Sequence, residues 1–229
     1  MIVGVRKPLA ELQGMLGNCQ KVLVVGCDTC VAECASGGRK EVAELSAALE
    51  LAAQKAGRVL ECVEASVDRQ CIHEFLVEVV GQAQEAEAVL SLACGAGVQA
   101  LAARLEKIPV YPALNTLFLG ETAERGVWLE NCRGCGDCQL GYTGGICPIS
   151  RCAKRLLNGP CGGVSNGLCE INLARNFDPP VPCAWEQICN RLQSLGLLES
   201  YFTVKPTLDW SKGGSGGPRR VVRPDQKLE

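Results

Sequence analysis

The chain reads as an α/β domain on a parallel sheet, then a small loop-dominated cysteine-rich module, then an extended tail. Three observations point there. Short apolar runs alternate with helical periods over residues 1–125. Gly, Pro and Cys replace that periodicity over 126–200. From residue 201 a stretch bearing Gly, Pro and Arg follows. Strands alternating with helices at these lengths build a parallel sheet with right-handed crossovers.

"KVLVVG" over 21–26 is a buried strand ending at Gly26. "RKEVAELSAALELAAQKAG" over 39–57 sets Val42, Leu45, Leu49 and Ala52 at helical spacing and stops at Gly57. "RVLECV" (58–63) is a second strand and "RQCIHEFLVEVVGQAQ" (69–84) a second helix. "EAVLSLAC" (87–94) is a third strand, "GVQALAARLEK" (97–107) a third helix, and "IPVYPALN" (108–115) a short fourth strand running into a loop. The outline is Rossmann-like. In the module, "RCAKRLLNG" (151–159) offers a turn or two of helix, and "CAWEQICNRLQSLG" (183–196) a helix ending at Gly196. So little apolar sequence cannot hold a large core, so something else must brace the module. In the tail (201–229), "GGSGG" is flexible-linker composition, and Arg219, Arg220 and Arg223 make it basic. It is either a disordered terminus or an arm that lies on a partner.

Net charge is −2 and aromatics are 4% over 229 residues. Neither a basic field nor stacking platforms for nucleic acid are present. No run approaches the ~18 apolar residues of a membrane span. Sixteen cysteines stand against one histidine, His73. A secreted disulfide scaffold would need a signal peptide, and "MIVGVRKPLAELQGMLGNCQ" has no continuous apolar core. The expected setting is therefore cytoplasmic, where clustered cysteines bind metal or do redox work.

Cys132-x2-Cys135-x2-Cys138 followed by Cys147-Pro148 is the grammar of bacterial ferredoxins, with the last spacing stretched. Three closely spaced thiolates on a turn reach three corners of a cubane. Gly134 and Gly136 permit the turn and expose amides toward its sulfurs. Structural zinc more often uses two separate C-x2-C knuckles. With Cys152, Cys161, Cys169 and Cys183 the count reaches eight, the complement of two [4Fe–4S] clusters. Cys189 falls in a helical apolar pattern and reads as a plain buried thiol. Spacing does not say whether Cys169 or Cys183 completes the first run, or whether the clusters exchange a ligand.

In the first domain, Cys27-x2-Cys30-x3-Cys34 follows the first strand, and Cys94 ends the third. Ligands of open parallel sheets bind beyond the carboxyl ends of the strands, so these four form a candidate metal site. Iron–sulfur is the first choice there and zinc the second. Cys71 is a spare candidate, while Cys19 and Cys62 read as buried thiols. "CGAGVQA" gives a weak G-x-G-x-x-A, but the acidic residue of a dinucleotide site is missing. Its amides are better used facing a cluster. His73 beside Glu74 reads as solvated, and Glu41, Glu44 and Glu50 as the wet face of a helix. Asp28 and Glu33 could tune a nearby cluster. The chain is poor in acid–base machinery and rich in thiolates, which fits electron transfer.

"KRLLNGPCGG", "GLCEI" and "CAWEQI" follow the cysteine run in order. With Cys132, Cys135, Cys138, Cys147-Pro148, Cys152, Leu157–Gly163, Cys169-Glu170, Cys183 and Trp185, the stretch resembles the C-terminal module associated with methylenetetrahydrofolate reductases. "GCDTCVAECASGG" and "SLACGAGVQ" extend the resemblance to the small iron–sulfur subunit of the two-subunit enzymes of anaerobic one-carbon metabolism. That resemblance implies a flavin-binding catalytic partner, with ferredoxin or an electron-bifurcating complex as donor. The rival reading is a zinc-structured subunit that clamps its partner and carries no electrons. A third is a dithiol oxidoreductase using Cys27 and Cys30.

Overall fold

The apolar run Val22–Val25 is wholly buried, and it lies at the middle of a parallel sheet. The computed structural model describes residues 1–213, 217–223 and 225. It divides into two units, Met1–Leu129 and Glu130–Glu229.

The first unit opens with β1 (Ile2–Arg6) and α1 (Leu9–Leu16). It continues through β2 (Lys21–Cys27), α2 (Cys30–Glu33), α3 (Arg39–Lys55), β3 (Glu61–Val67), α4 (Val77–Ala83), β4 (Ala88–Ser91), α5 (Gly95–Ala102) and β5 (Val110–Pro112). The parallel sheet has the order β3-β2-β4-β5. Alternate residues of its strands serve opposite faces. Val22, Val24 and Leu90 pack with Val42, Leu45 and Leu49 of α3 and with Leu12 and Leu16 of α1. Leu23, Val25 and Val89 pack with Val79 and Ala83 of α4 and Leu101 of α5.

The expected fourth strand does not end in a loop. β6 (Leu114–Glu124) and β7 (Val127–Cys132) follow, and β6 pairs antiparallel with β1. The second sheet, β1-β6-β7, is therefore closed by residues more than a hundred positions apart. Other elements shift. The second strand starts at Glu61, because residues 58–60 serve as a connection in which Val59 is 79% exposed. The second helix is only a 3-10 turn at His73–Leu76 running into α4. Its expected start is held otherwise. Gln70 is fully buried, donates from Nε2 to the Val25 and Gly26 carbonyls at 2.9 Å each, and accepts from Ser91 Oγ at 2.6 Å. Glu41, expected on a wet face, is buried, and its carboxylate accepts the Gly38 N–H at 2.9 Å at the start of α3.

The second unit holds short helices: α6 (Pro148–Arg151), α7 (Ile171–Ala174), α8 (Ala184–Ser194) and α9 (Glu199–Phe202). Its core gathers Cys183, Trp185, Ile188 and Leu192 of the α8 region, with Leu156, Val164 and Tyr201 packed against them. Residues 201–208, taken from sequence as part of the tail, pack into this unit. Tyr201 meets Trp185 edge-on at 5.8 Å, Lys205 Nζ lies 3.5 Å from the Tyr142 ring centroid, and Leu208 is buried. Residues 214–216 of the "GGSGG" stretch lie outside the described residues.

Candidate functional site

Cys132 is the last residue of β7, and the chain turns immediately after it. Gly134 and Gly136 take φ of 60° and 84°, the left-handed region that glycine enters freely. The turn aims the Gly134 N–H at Cys132 Sγ, 3.3 Å away. Cys138 is exposed and Cys135 half-buried. Cys147 caps the start of α6, with Pro148 as its first residue. Ser150 Oγ donates to the Asn131 carbonyl at 3.1 Å, and Arg151 Nη2 to Asn131 Oδ1 at 2.8 Å. These bonds tie the Cys147 helix to the residue preceding Cys132. The tail reaches the same turn, where Arg219 donates from Nη1 to the Lys212 carbonyl (2.7 Å) and from Nη2 to the Gly134 carbonyl (3.1 Å).

Four of the other five cysteines of the module line one cavity. Cys152, Cys161, Cys169 and Cys183 surround a space of about 470 Å³, whose remaining walls include Val164, Ile171 and Trp185. Three of them are placed by backbone hydrogen bonds. Cys152 closes α6, and its N–H donates to the Pro148 carbonyl. The Cys169 N–H donates to Val181 O and the Cys183 N–H to Gly167 O. Asn172 braces both segments, donating to the Cys169 and Val181 carbonyls at 2.8 Å while accepting the Val181 N–H at 2.9 Å. Trp185 Nε1 donates to the Leu156 carbonyl at 3.0 Å. Asn158 clasps the Lys205 backbone from both sides, at 3.0 and 2.6 Å. Cys169 and Cys183 line this cavity with Cys152 and Cys161. Cys189 is half-buried on α8 and is not among the residues lining this cavity.

In the first unit the strand order reverses between β2 and β4, where open sheets form a crevice. Cys27 ends β2 and Cys94 caps the start of α5, and both pack with Cys34 in one cluster. Burial pushes the Cys27 thiol up, with nearby Cys94 adding to the rise. Cys34 Sγ is enclosed, with the Gly4 N–H at 3.5 Å, Val31 O at 3.5 Å and Ser36 Oγ at 3.6 Å. Cys30 is half-buried beside Asp28 and Glu33 at an open depression. Asp28 is engaged by the Arg39 N–H (2.9 Å) and Arg39 Nη2 (3.4 Å). Gly97 is needed for packing, since a Cβ there would lie 2.9 Å from that of Gln70. The Gly95 amide is taken by Thr116 Oγ1 at 2.9 Å. Cys71 is exposed, and His73 Nδ1 accepts from Arg104 Nε at 2.8 Å. Cys62 lies inside β3, its pKa pushed up to about 12 by burial and then by Glu50 and Glu64.

Among the described residues no three His, Cys, Asp or Glu side chains converge closely enough to hold a single metal ion. None of the described helices is long and apolar enough to cross a membrane. Residues 111–211, which include the whole cysteine series from Cys132 to Cys189, match the family model described as methylene-tetrahydrofolate reductase C terminal. No curated protein and no solved structure matches the chain. Over residues 111–211, then, the chain is similar to the C-terminal region of methylenetetrahydrofolate reductases.

Proposed function

We propose that this chain is the iron–sulfur subunit of a methylenetetrahydrofolate reductase complex. It relays electrons through [4Fe–4S] clusters to the flavin of a partner subunit, which reduces methylenetetrahydrofolate to methyltetrahydrofolate. The observation that carries the reading is the cavity ringed by Cys152, Cys161, Cys169 and Cys183, inside the stretch that matches the reductase family. A cubane held there supplies one-electron transfer at a potential set by charge, hydrogen bonding and burial. The donor set fits such a group. Four thiols line a largely apolar cavity, and at the other group a glycine amide already points at a cysteine sulfur.

Cys132, Cys135, Cys138 and Cys147 form the second site of the module in this reading. Cys27, Cys30, Cys34 and Cys94 form a third, on a Rossmann-like sheet. Cys34 must leave its contacts around Gly4 to serve there, so iron or zinc at that site is decided by metal analysis. The donor is a ferredoxin or a larger electron-bifurcating complex.

The zinc-clamp reading requires four sulfurs drawn to about 2.3 Å of one ion. A cubane spreads its thiolates over four irons, so it asks for a wider arrangement of the four cysteines than one zinc ion does. Cys27, with its raised pKa, is a poor nucleophile, which weighs against dithiol catalysis. Anaerobically purified protein should be brown, with broad visible absorption that bleaches on reduction and an EPR signal in the reduced state. Colourless, EPR-silent protein would overturn the reading.

A further inference from the structure

The cavity that gathers the four cysteines also contains one ion pair, Lys154 Nζ with Glu170 Oε1. Among the described residues lining it, Lys154 is the one cation and Glu170 the one carboxylate. Cys161 lines the same cavity as both. The pair is built into the backbone. Glu170 follows Cys169 directly and caps the start of α7. Gly163, two residues after Cys161, leaves the carboxylate its place: a Cβ there would overlap Glu170 Oε2 and lie 2.7 Å from its carboxyl carbon. Gly163 thus admits Glu170, Glu170 holds Lys154, and the pair lines the cavity together with Cys161.

Reduction of a cluster by one external electron adds one negative charge. An ammonium on the cavity wall stabilises that added charge, and water reaching the part-exposed pair screens some of the effect. We propose that Lys154, positioned by Glu170, sets the reduction potential of the cluster held by Cys152, Cys161, Cys169 and Cys183. The inference rests on the iron–sulfur reading above and assigns residues that do not themselves bind iron.

The test is an EPR-monitored redox titration of the anaerobic full chain. Lys154→Met should move one midpoint to more negative potential and leave the others in place. Lys154→Arg, which keeps the charge, should hold the wild-type value. Lys154→Gln, neutral but polar, should move the same midpoint the same way, and it decides alone if Lys154→Met loses its iron. Midpoints unmoved by these substitutions, or moved the opposite way, overturn the inference. Wild-type protein without iron would instead sink the underlying reading, and metal analysis shows that before any titration.

Discussion

Cys147 and Cys152 stand at opposite ends of the same one-turn helix, Cys147 capping the start of α6 and Cys152 closing it. Four helical residues span only about 6 Å. The two four-cysteine groups therefore share one short, rigid spacer. Cys147 belongs with the run at Cys132, through the bonds of Ser150 and Arg151 to Asn131, while Cys152 faces the cavity. In the proposed reading, α6 is the spacer between the two cluster sites.

The groups should be separable by mutation. Cys135→Ser and Cys161→Ser each remove a ligand from a different group. Each variant should lose about four irons of the module and keep about four. Iron analysis with EPR checks this, and a single substitution that strips the module completely would contradict two separate sites.

Gly136 should tolerate no side chain. Its φ is 84°, and a Cβ there would overlap the Lys212 carbonyl and sit 3.1 Å from Arg219 Nη1. Gly136→Ala combines that overlap with a left-handed strain of about 1–2 kcal/mol. The variant should release the segment around Lys212 and Arg219, seen as faster proteolysis there than in wild type. An unchanged cleavage rate would show that these contacts do not hold the tail.

Trp185 should anchor the second unit. It is 4% exposed, bonds Leu156 O at 3.0 Å and packs edge-on against Tyr201. Trp185→Ala should cost about 3–5 kcal/mol. Urea unfolding followed in the metal-loaded protein checks the loss, and a change under about 1 kcal/mol would show that metal ligation alone holds this region.

Cys62 should resist alkylation at pH 9, where exposed Cys71 reacts. Its pKa is raised from 9.0 to about 12, so the folded state favours the neutral thiol. The sign follows: this stabilisation is complete below the unfolded pKa and fades as pH rises from about 9 toward about 12. Mass spectrometry after iodoacetamide treatment reads both thiols in one sample.

These residues also show what a sequence can and cannot carry. β2 and α3 were legible because Val22–Val25 is a continuous apolar run and Val42, Leu45 and Leu49 keep helical spacing. β1 and β6 were not, because their pairing joins Val3 to Phe118, and no local pattern encodes a partner that distant. The second helix was overread because its apolar pattern hides Gln70, whose amide satisfies the ends of β2 rather than starting a helix. The cysteine spacing gave the candidate thiols, and the fold adds that Cys152, Cys161, Cys169 and Cys183 line one cavity. Lys154 gave one signal only, its place in the run between Cys152 and the "LNGPCGG" stretch.

Iron, acid-labile sulfide and zinc per chain, measured on anaerobically purified protein, test the central claim most directly. The account predicts at least about eight iron with matching sulfide, rising to about twelve if the first-unit site also holds a cubane. About eight iron with one zinc would keep the two-cluster module and make the first site structural. Zinc without iron or sulfide would contradict electron transfer and leave a structural clamp for an enzyme reduced by another route.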